Sequence, residues 1–180
     1  MYELMVLGEL AFRPQHGYMI AKIIGDIIGP FRKVQCGALY PLLARLQHDG
    51  LIHAACEGER RKVFEITPAG TERLHELLLD TEHHLAEYDQ IFQLKVSLFS
   101  LLSEDERRSI VTHYRGFVEQ NLHHGESECR SIAAHEGAEI PEPHRQQILA
   151  VISHRNEYWR SEHAWTDQLS AEFSNLAEVD

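Results

Sequence analysis

The sequence predicts a mainly α-helical protein with a small β-hairpin wing. An N-terminal winged helix-turn-helix precedes a C-terminal α-helical dimerisation region. Helical periodicity recurs along most of the chain; Leu39, Leu42, Leu43 and Leu46 stand at i, i+3, i+4 and i+7. Residues 51–56 and 63–66 break that period and read as two strands around a turn at Glu57-Gly58-Glu59. Beyond residue 88 no strand pattern returns, and the helices are too elongated to bury their apolar faces alone. The division expected is residues 1–87, a winged-helix domain with a linker helix, and residues 88–180, a helical dimerisation and effector region.

The first helix is expected over residues 2–12, with Leu4, Leu7 and either Gly8 or Ala11 facing inward and Leu10 in support. Residues 13–17 form a turn with Pro14 as breaker. The second helix, residues 18–28, buries Ile20, Ile23, Ile24, Ile27 and Ile28, and Gly29-Pro30 ends it. The third runs over residues 36–49, with Pro41 near its first turn and Gly50 as its stop. After the hairpin, Thr67 is an N-cap and Pro68 occupies the first helical position. The fourth helix extends to about residue 87 through Leu74, Leu77, Leu78 and Leu85. Residues 88–102 form a short buried helix. Ser103-Glu104-Asp105-Glu106 is a capping box for a helix over residues 104–135, with Ile110, Tyr114, Phe117, Val118, Asn121 and Leu122 inward. A loop over residues 137–143 precedes a last helix, residues 143–173. Its stripe holds Ile148, Ile152, Trp159, Trp165 and Leu169, the residues expected to meet a second copy.

The totals narrow the function. No run of 18 apolar residues exists in the 180, so no membrane span is read. The N-terminus opens into a helix carrying Glu3 and Glu9, unlike a signal peptide. Cys36, Cys56 and Cys129 are odd in number and far apart, which points to a reducing cytoplasm. The net charge is −11, unevenly spread. Residues 1–80 hold nine basic and ten acidic side chains, a balance of −1; residues 81–180 hold eight and eighteen, a balance of −10. Of the nine, Arg32, Lys33, Arg60, Arg61 and Lys62 lie on the third helix's lead or the hairpin tip. A helix that enters a groove beside a basic wing suits double-stranded DNA: the helix reaches base edges while the wing grips phosphates. Arg32 and Lys33 would meet phosphate at the helix entrance; Gln35, Cys36, Gly37 and Ala38 are near enough to approach bases, and Gln35 can pair with adenine.

There is no Gly-rich phosphate loop, nucleophile elbow or paired-carboxylate setting, so an enzyme is not expected, nor a cofactor. Among thirteen histidines, the neighbours His83-His84 and His123-His124 diverge by about 100° on a helix, and neither His-Glu-x-x-His nor Cys-x-x-Cys occurs. No metal site is assigned. A thiol at a helix start is oxidisable, which keeps a redox-sensing role for Cys36 as an alternative to a small buried hydrophobe. Tyr114, Arg155, Trp159 and His163 are candidates for an effector pocket between the two regions, with dimer core as the competing reading of the tryptophans. A helical ligand-sensing or protein-binding dimer without DNA work is the remaining alternative.

The blocks Leu7-Gly8-Glu9-Leu10, His16-Gly17-Tyr18-Met19-Ile20, Gly37-Ala38-Leu39-Tyr40-Pro41-Leu42-Leu43, Gly50-Leu51-Ile52 and residues 61–70 resemble, in kind and spacing, the PadR family of bacterial transcription regulators. Those are dimeric winged-helix repressors with a helical C-terminal region. Phe92-Gln93-Leu94-Lys95, the acidic helix start at Ser103 and the tryptophan pair resemble the longer subgroup, whose namesake responds to phenolic acids. The resemblance implies that Tyr40 faces DNA. It also implies that a homodimer sets two recognition helices on a pseudo-palindromic operator, and that a small aromatic effector releases it. A Ser or Thr commonly stands in the family where Gln35 or Cys36 stands here, so this helix start is less well capped.

Overall fold

A computed structural model of the chain describes residues 1–28, 36–54, 62–81, 87–134 and 140–176. Two compact units emerge, Met1–Leu102 and Ser103–Asp180.

The first unit is built on α1 (Tyr2–Phe12). Leu4, Met5, Val6, Leu7 and Leu10 are all buried, so this helix is apolar on most of its circumference rather than along one stripe. It packs against α2 (Gly17–Ile28), β3 (Val63–Ile66) and α4 (Pro68–Leu79). In α2, Ile20 and Ile24 are fully buried and Ile23 is half-buried, but Ile27, expected inside, is half exposed. Ile27 shares the face of Ile20 and Ile24, but it stands in the last turn of α2, where it lines a surface depression with Met1, Met5 and Leu94. The segment read as a turn holds a strand, β1 (Gln15–His16). It pairs antiparallel with β3, Gln15 opposite Phe64 and His16 opposite Val63. β2 (Ile52–Ala54) pairs with the other edge of β3, giving a three-stranded sheet in the order β1-β3-β2. Two polar residues carry no alternation, so β1 exists only because β3 supplies its partner groups.

The third helix, α3 (Cys36–His48), closes as the sequence predicts. Leu39, Leu43 and Leu46 are buried. Gly50 sits at φ +72°, the Leu51 N–H reaches the Leu46 carbonyl at 2.9 Å, and the Gly50 N–H reaches Gln47 at 3.2 Å. That pair of bonds is a Schellman stop, which needs a left-handed residue at Gly50. Thr67 then ties three elements together. Its hydroxyl accepts from the Gly70 N–H at 3.0 Å and donates to the Gly50 carbonyl at 2.7 Å, while its own N–H reaches the Leu51 carbonyl at 3.1 Å. The cap contributes about 1 kcal/mol and fixes the start of α4 against the turn that leaves α3. Gly70 permits this: a Cβ there would stand 2.0 Å from the Leu51 carbonyl oxygen.

Helix α4 ends at Leu79, earlier than the expected residue 87. Asp80 is extended, and its carbonyl accepts from the Lys95 ammonium. Lys95 lies on α5 (Tyr88–Ser97), which is followed by a short 3-10 turn, Phe99–Leu101. Leu98 approaches α1 where Gly8 leaves room, its Cδ1 2.8 Å from where a Cβ would be. Residues 88–102 therefore belong to the first compact unit, whereas the sequence grouped them with the C-terminal region.

The second unit is an antiparallel helical hairpin, α6 (Glu104–Ala133) and α7 (His144–Leu176). The capping box forms: the Ser103 N–H reaches Glu106 at 2.8 Å, and its hydroxyl accepts from the Glu106 N–H at 3.4 Å. Ile110, Val111, Tyr114 and Val118 of α6 are buried, as are Ile152, Asn156, Thr166 and Leu169 of α7.

Candidate nucleic-acid interface

Burying Leu39, Leu43 and Leu46 turns the opposite face of α3 outward. Tyr40, Ala44 and Gln47, at i, i+4 and i+7, form an exposed stripe. Tyr40 is 51% exposed, a large ring left in solvent. Lys62 is exposed at the residue before β3, so the sheet register brings it beside His16, the partner of Val63. These elements enclose a groove of about 630 Å³. Tyr40, Ala44 and Gln47 of α3 form one wall, Lys62 and Phe64 another, and His16 and Tyr18 complete it. Gly17 lets the walls approach: a Cβ there would lie 3.3 Å from the Phe64 ring and 3.4 Å from the Tyr40 ring. The His16 and Tyr18 rings stack at 5.6 Å with planes 22° apart. The His16 Nδ1 is buried with no hydrogen-bond partner among the described residues.

Of the residues singled out from the sequence, Tyr40 and Lys62 are brought together on this groove. Arg32, Lys33, Gln35, Arg60 and Arg61 lie outside the described residues. Cys36, Gly37 and Ala38 fall in the first turn of α3, and their side chains are likewise outside the description. Sequence reasoning missed Ala44 and Gln47, though the i+4 and i+7 step from Tyr40 marks them. It also missed His16 and Tyr18, which reach the site only through the pairing of β1 with β3. Arg45, on the same helix, is held by Glu3 of α1 at 3.3 Å, and Glu3 also binds Arg73 at 3.0 Å.

The C-terminal candidates sit within the α6–α7 hairpin. Tyr114 is fully buried, and its hydroxyl donates to Glu162 at 2.5 Å. Trp159 meets Phe117 edge-on at 5.6 Å. Arg155 pairs with Glu128 across the hairpin. His163 has one nitrogen 3.3 Å from Glu119 and the other 3.4 Å from Asp167. The Glu119 carboxyl is held below its ordinary range, first by Arg115 and then by His163. Ile152 and Leu169 are buried inside the chain itself, while Ile148, Trp159 and Trp165 are half-buried. Among the described residues no group of three or more His, Cys, Asp or Glu side chains is placed to hold a metal ion. No described helix is long and apolar enough to cross a membrane.

Residues 6–76 match the profile of the transcriptional regulator PadR-like family. Over 82 residues the chain is 38% identical to an uncharacterized 37.1 kDa protein in transposon TN4556 from Streptomyces fradiae. That match covers 46% of this chain and 22% of the other, so it spans about a fifth of the curated relative's length. Among solved structures, the chain is similar to Bacillus subtilis PadR in complex with operator DNA: 20% identity, 94% of this chain and 96% of that one, TM-score 0.41. It is similar to the same protein in complex with p-coumaric acid, at 21% identity over 96% and 94% of the two chains, TM-score 0.41. The Vibrio cholerae virulence activator AphA is 21% identical over 98% of this chain and 99% of that one, TM-score 0.40.

Proposed function

We propose, from the premise that residues 6–76 are a PadR-like domain, that this protein is a sequence-specific DNA-binding transcriptional regulator acting as a dimeric repressor. The observation that carries the reading is the meeting of Tyr40 and Lys62 on one groove beside the outward stripe of α3. A helix with an exposed polar face next to a strand edge carrying a cation supports major-groove docking with phosphate contacts from the wing. On the sequence reading, Arg32, Lys33, Arg60 and Arg61 are proposed as further phosphate contacts, and Gln35, Cys36, Gly37 and Ala38 as the residues that approach base edges.

Dimerisation is supported by α7. With Ile152 and Leu169 turned to α6, Val151 and Tyr158 are left 67% and 39% exposed, seven residues apart. Trp165, a further seven residues on, continues the row. Apolar residues at heptad spacing form a seam for a second helix, and Ile148 and Trp159 flank it. Two copies would set two α3 helices in successive major grooves of a pseudo-palindromic operator, about one turn apart. An effector releases the complex only by binding the free arrangement more tightly than the bound one. Tyr114, Arg155, Trp159 and His163 are the effector group proposed on the hairpin.

Fluorescence anisotropy with labelled DNA from upstream of the gene, against a scrambled duplex, tests this over a salt series. The expected result is tight, selective binding that weakens steeply with salt. Lys62→Ala should flatten the log–log salt slope by about one per lost phosphate contact. Equal affinity for both duplexes, or a slope that Lys62→Ala leaves unchanged, would refute the DNA reading or the wing contact respectively.

A further inference from the structure

Helix α7 carries a second pattern beside the face it turns to α6. Val151, Tyr158 and Trp165 stand seven residues apart, and Arg155 and Glu162 each follow four residues after one of them. Residues three and four apart are neighbours on a helix, so the five make one strip. Val151 and Tyr158 are exposed, the Arg155 side chain is 45% exposed, and Glu162 and Trp165 are half-buried. The strip nearly mirrors itself about Tyr158. Val151 and Trp165 lie seven residues to either side, with Arg155 three before and Glu162 four after. Its charge therefore changes sign at the centre. Both charged groups keep bonding capacity beyond the hairpin. Arg155 gives one nitrogen to Glu128, and a guanidinium has five N–H groups; Glu162 takes the Tyr114 hydroxyl on one of its two oxygens.

We propose that this strip is a self-pairing surface: it docks on the α7 of a second copy, antiparallel, on a twofold axis at Tyr158, and the Arg155–Glu162 contacts choose the direction. The proposal rests on the dimer reading above and adds to it a direction and a register. Laid parallel and in register, a second α7 would set Arg155 on the partner's Arg155 and Glu162 on the partner's Glu162, like charge on like. Laid antiparallel about Tyr158, it sets Arg155 on the partner's Glu162 and Val151 on the partner's Trp165, and the twofold makes each contact twice. Val151, Tyr158 and Trp165 supply the apolar burial. The charged pairs stay at the wet edge of the strip, where they select an orientation more than they add affinity. Removing one charge therefore costs the dimer little, and reversing it costs much more.

Light scattering on the full chain comes first; a protein that stays monomeric at high micromolar concentration would overturn the dimer reading and this one together. Two single cysteines then locate the axis, read against the wild type, whose Cys36, Cys56 and Cys129 set the background. Under mild oxidation Tyr158→Cys should give a disulfide-linked dimer. Val151→Cys should not, because antiparallel pairing holds its two sulfurs about 21 Å apart along the helices, beyond disulfide reach. The reverse outcome would make the pairing parallel and overturn the proposal. Arg155→Glu and Glu162→Arg should each weaken self-association by about tenfold or more, since each places like charges at both contacts. A one-to-one mixture of the two should recover a heterodimer of wild-type affinity, because every contact is again opposite in sign. Damage inside either hairpin, where Arg155 meets Glu128 and Glu162 meets Tyr114, is not repaired by mixing. A Tyr158→Cys link without recovery in the mixture would overturn the charged contact and keep the axis. A dimer that shows neither would overturn the strip and leave the dimer reading standing.

Discussion

The two compact units use their polar side chains in opposite ways. Among the described residues of Met1–Leu102, Glu3 pairs with both Arg45 and Arg73, and none of these three lines the groove. Tyr40, Gln47 and Lys62 are turned outward there. In the α6–α7 hairpin the charges are engaged across the helix pair: Arg115 with Asp167, Glu119 with His163, Glu126 with Arg160, Glu128 with Arg155. One unit fixes its shape by apolar packing and backbone caps and leaves a polar face exposed; the other uses polar groups to hold its own two helices. The first should therefore fail abruptly under small steric changes, and the second by degrees.

The strongest test of that contrast is a pair of glycines. A Cβ at Gly70 meets the Leu51 carbonyl oxygen at 2.0 Å, and backbone fixed by the Thr67 bonds and the α3 stop has nowhere to go. Gly70→Ala should cost about 3 kcal/mol, read as a lower denaturation midpoint. A Cβ at Gly125 meets the Asn156 Oδ1 at 1.9 Å, but that is a side chain. Gly125→Ala should cost about 1–2 kcal/mol, and much less in an Asn156→Ala background, because that oxygen is buried without a partner among the described residues. Additive effects of the two hairpin changes would deny that they touch.

Lys95 sharpens the contrast from the other side, as a buried charge in the unit that otherwise excludes them. Burial pulls its pKa down to about 8 from the ordinary 10.5, with Asp80 opposing. Between these values the unfolded chain binds more protons than the folded one, so stability rises with pH through that window. At about 1.4 kcal/mol per unit the gain is roughly 3–4 kcal/mol at most. Burial also pushes Tyr88 up to about 12 from 10.0. There the folded state holds the extra proton, and stability falls as pH climbs above 10. Urea midpoints should therefore crest near pH 10, and Lys95→Met should erase the rising limb and keep the fall. A rising limb that survives the substitution would assign it to other groups.

The comparison also explains what the sequence disclosed. Helices with a repeating apolar stripe were legible, α3 through Leu39, Leu43 and Leu46 above all, because one face of an isolated helix states its own burial. Thr67-Pro68 and Ser103–Glu106 announced their caps, since capping depends on residues three apart. The groove was half legible. Tyr40 and Lys62 lie on elements with clear local patterns, whereas His16 and Tyr18 arrive by the β1–β3 pairing, a contact between residues nearly fifty positions apart. The end of α4 at Leu79 was invisible for the same reason: the Asp80 carbonyl accepts from Lys95 of another helix. Ile27 matched the helical period and shares the face of Ile20 and Ile24 yet is half exposed, because periodicity tells which residues share a face and not how far along the helix that face is covered.

The smallest effects should come from the hairpin's ion pairs, and their smallness is itself informative. Arg155 and Arg160 are about half exposed and reach across to Glu128 and Glu126. Water and salt screen such pairs, and ordering long side chains offsets much of the attraction, so each is worth roughly 0.2–1 kcal/mol. Arg155→Ala and Arg160→Ala should each lower the midpoint slightly at low salt, and the loss should shrink further at high salt. Tyr114→Phe should matter more than either, because its hydroxyl is buried and bonded to Glu162, and deleting it leaves a carboxylate short of a donor at about 1–2 kcal/mol. If Arg155→Ala matched Tyr114→Phe, the outer pairs would be holding the helices together, and the hairpin would resist salt far less than its buried Tyr114, Val118, Ile152 and Leu169 imply.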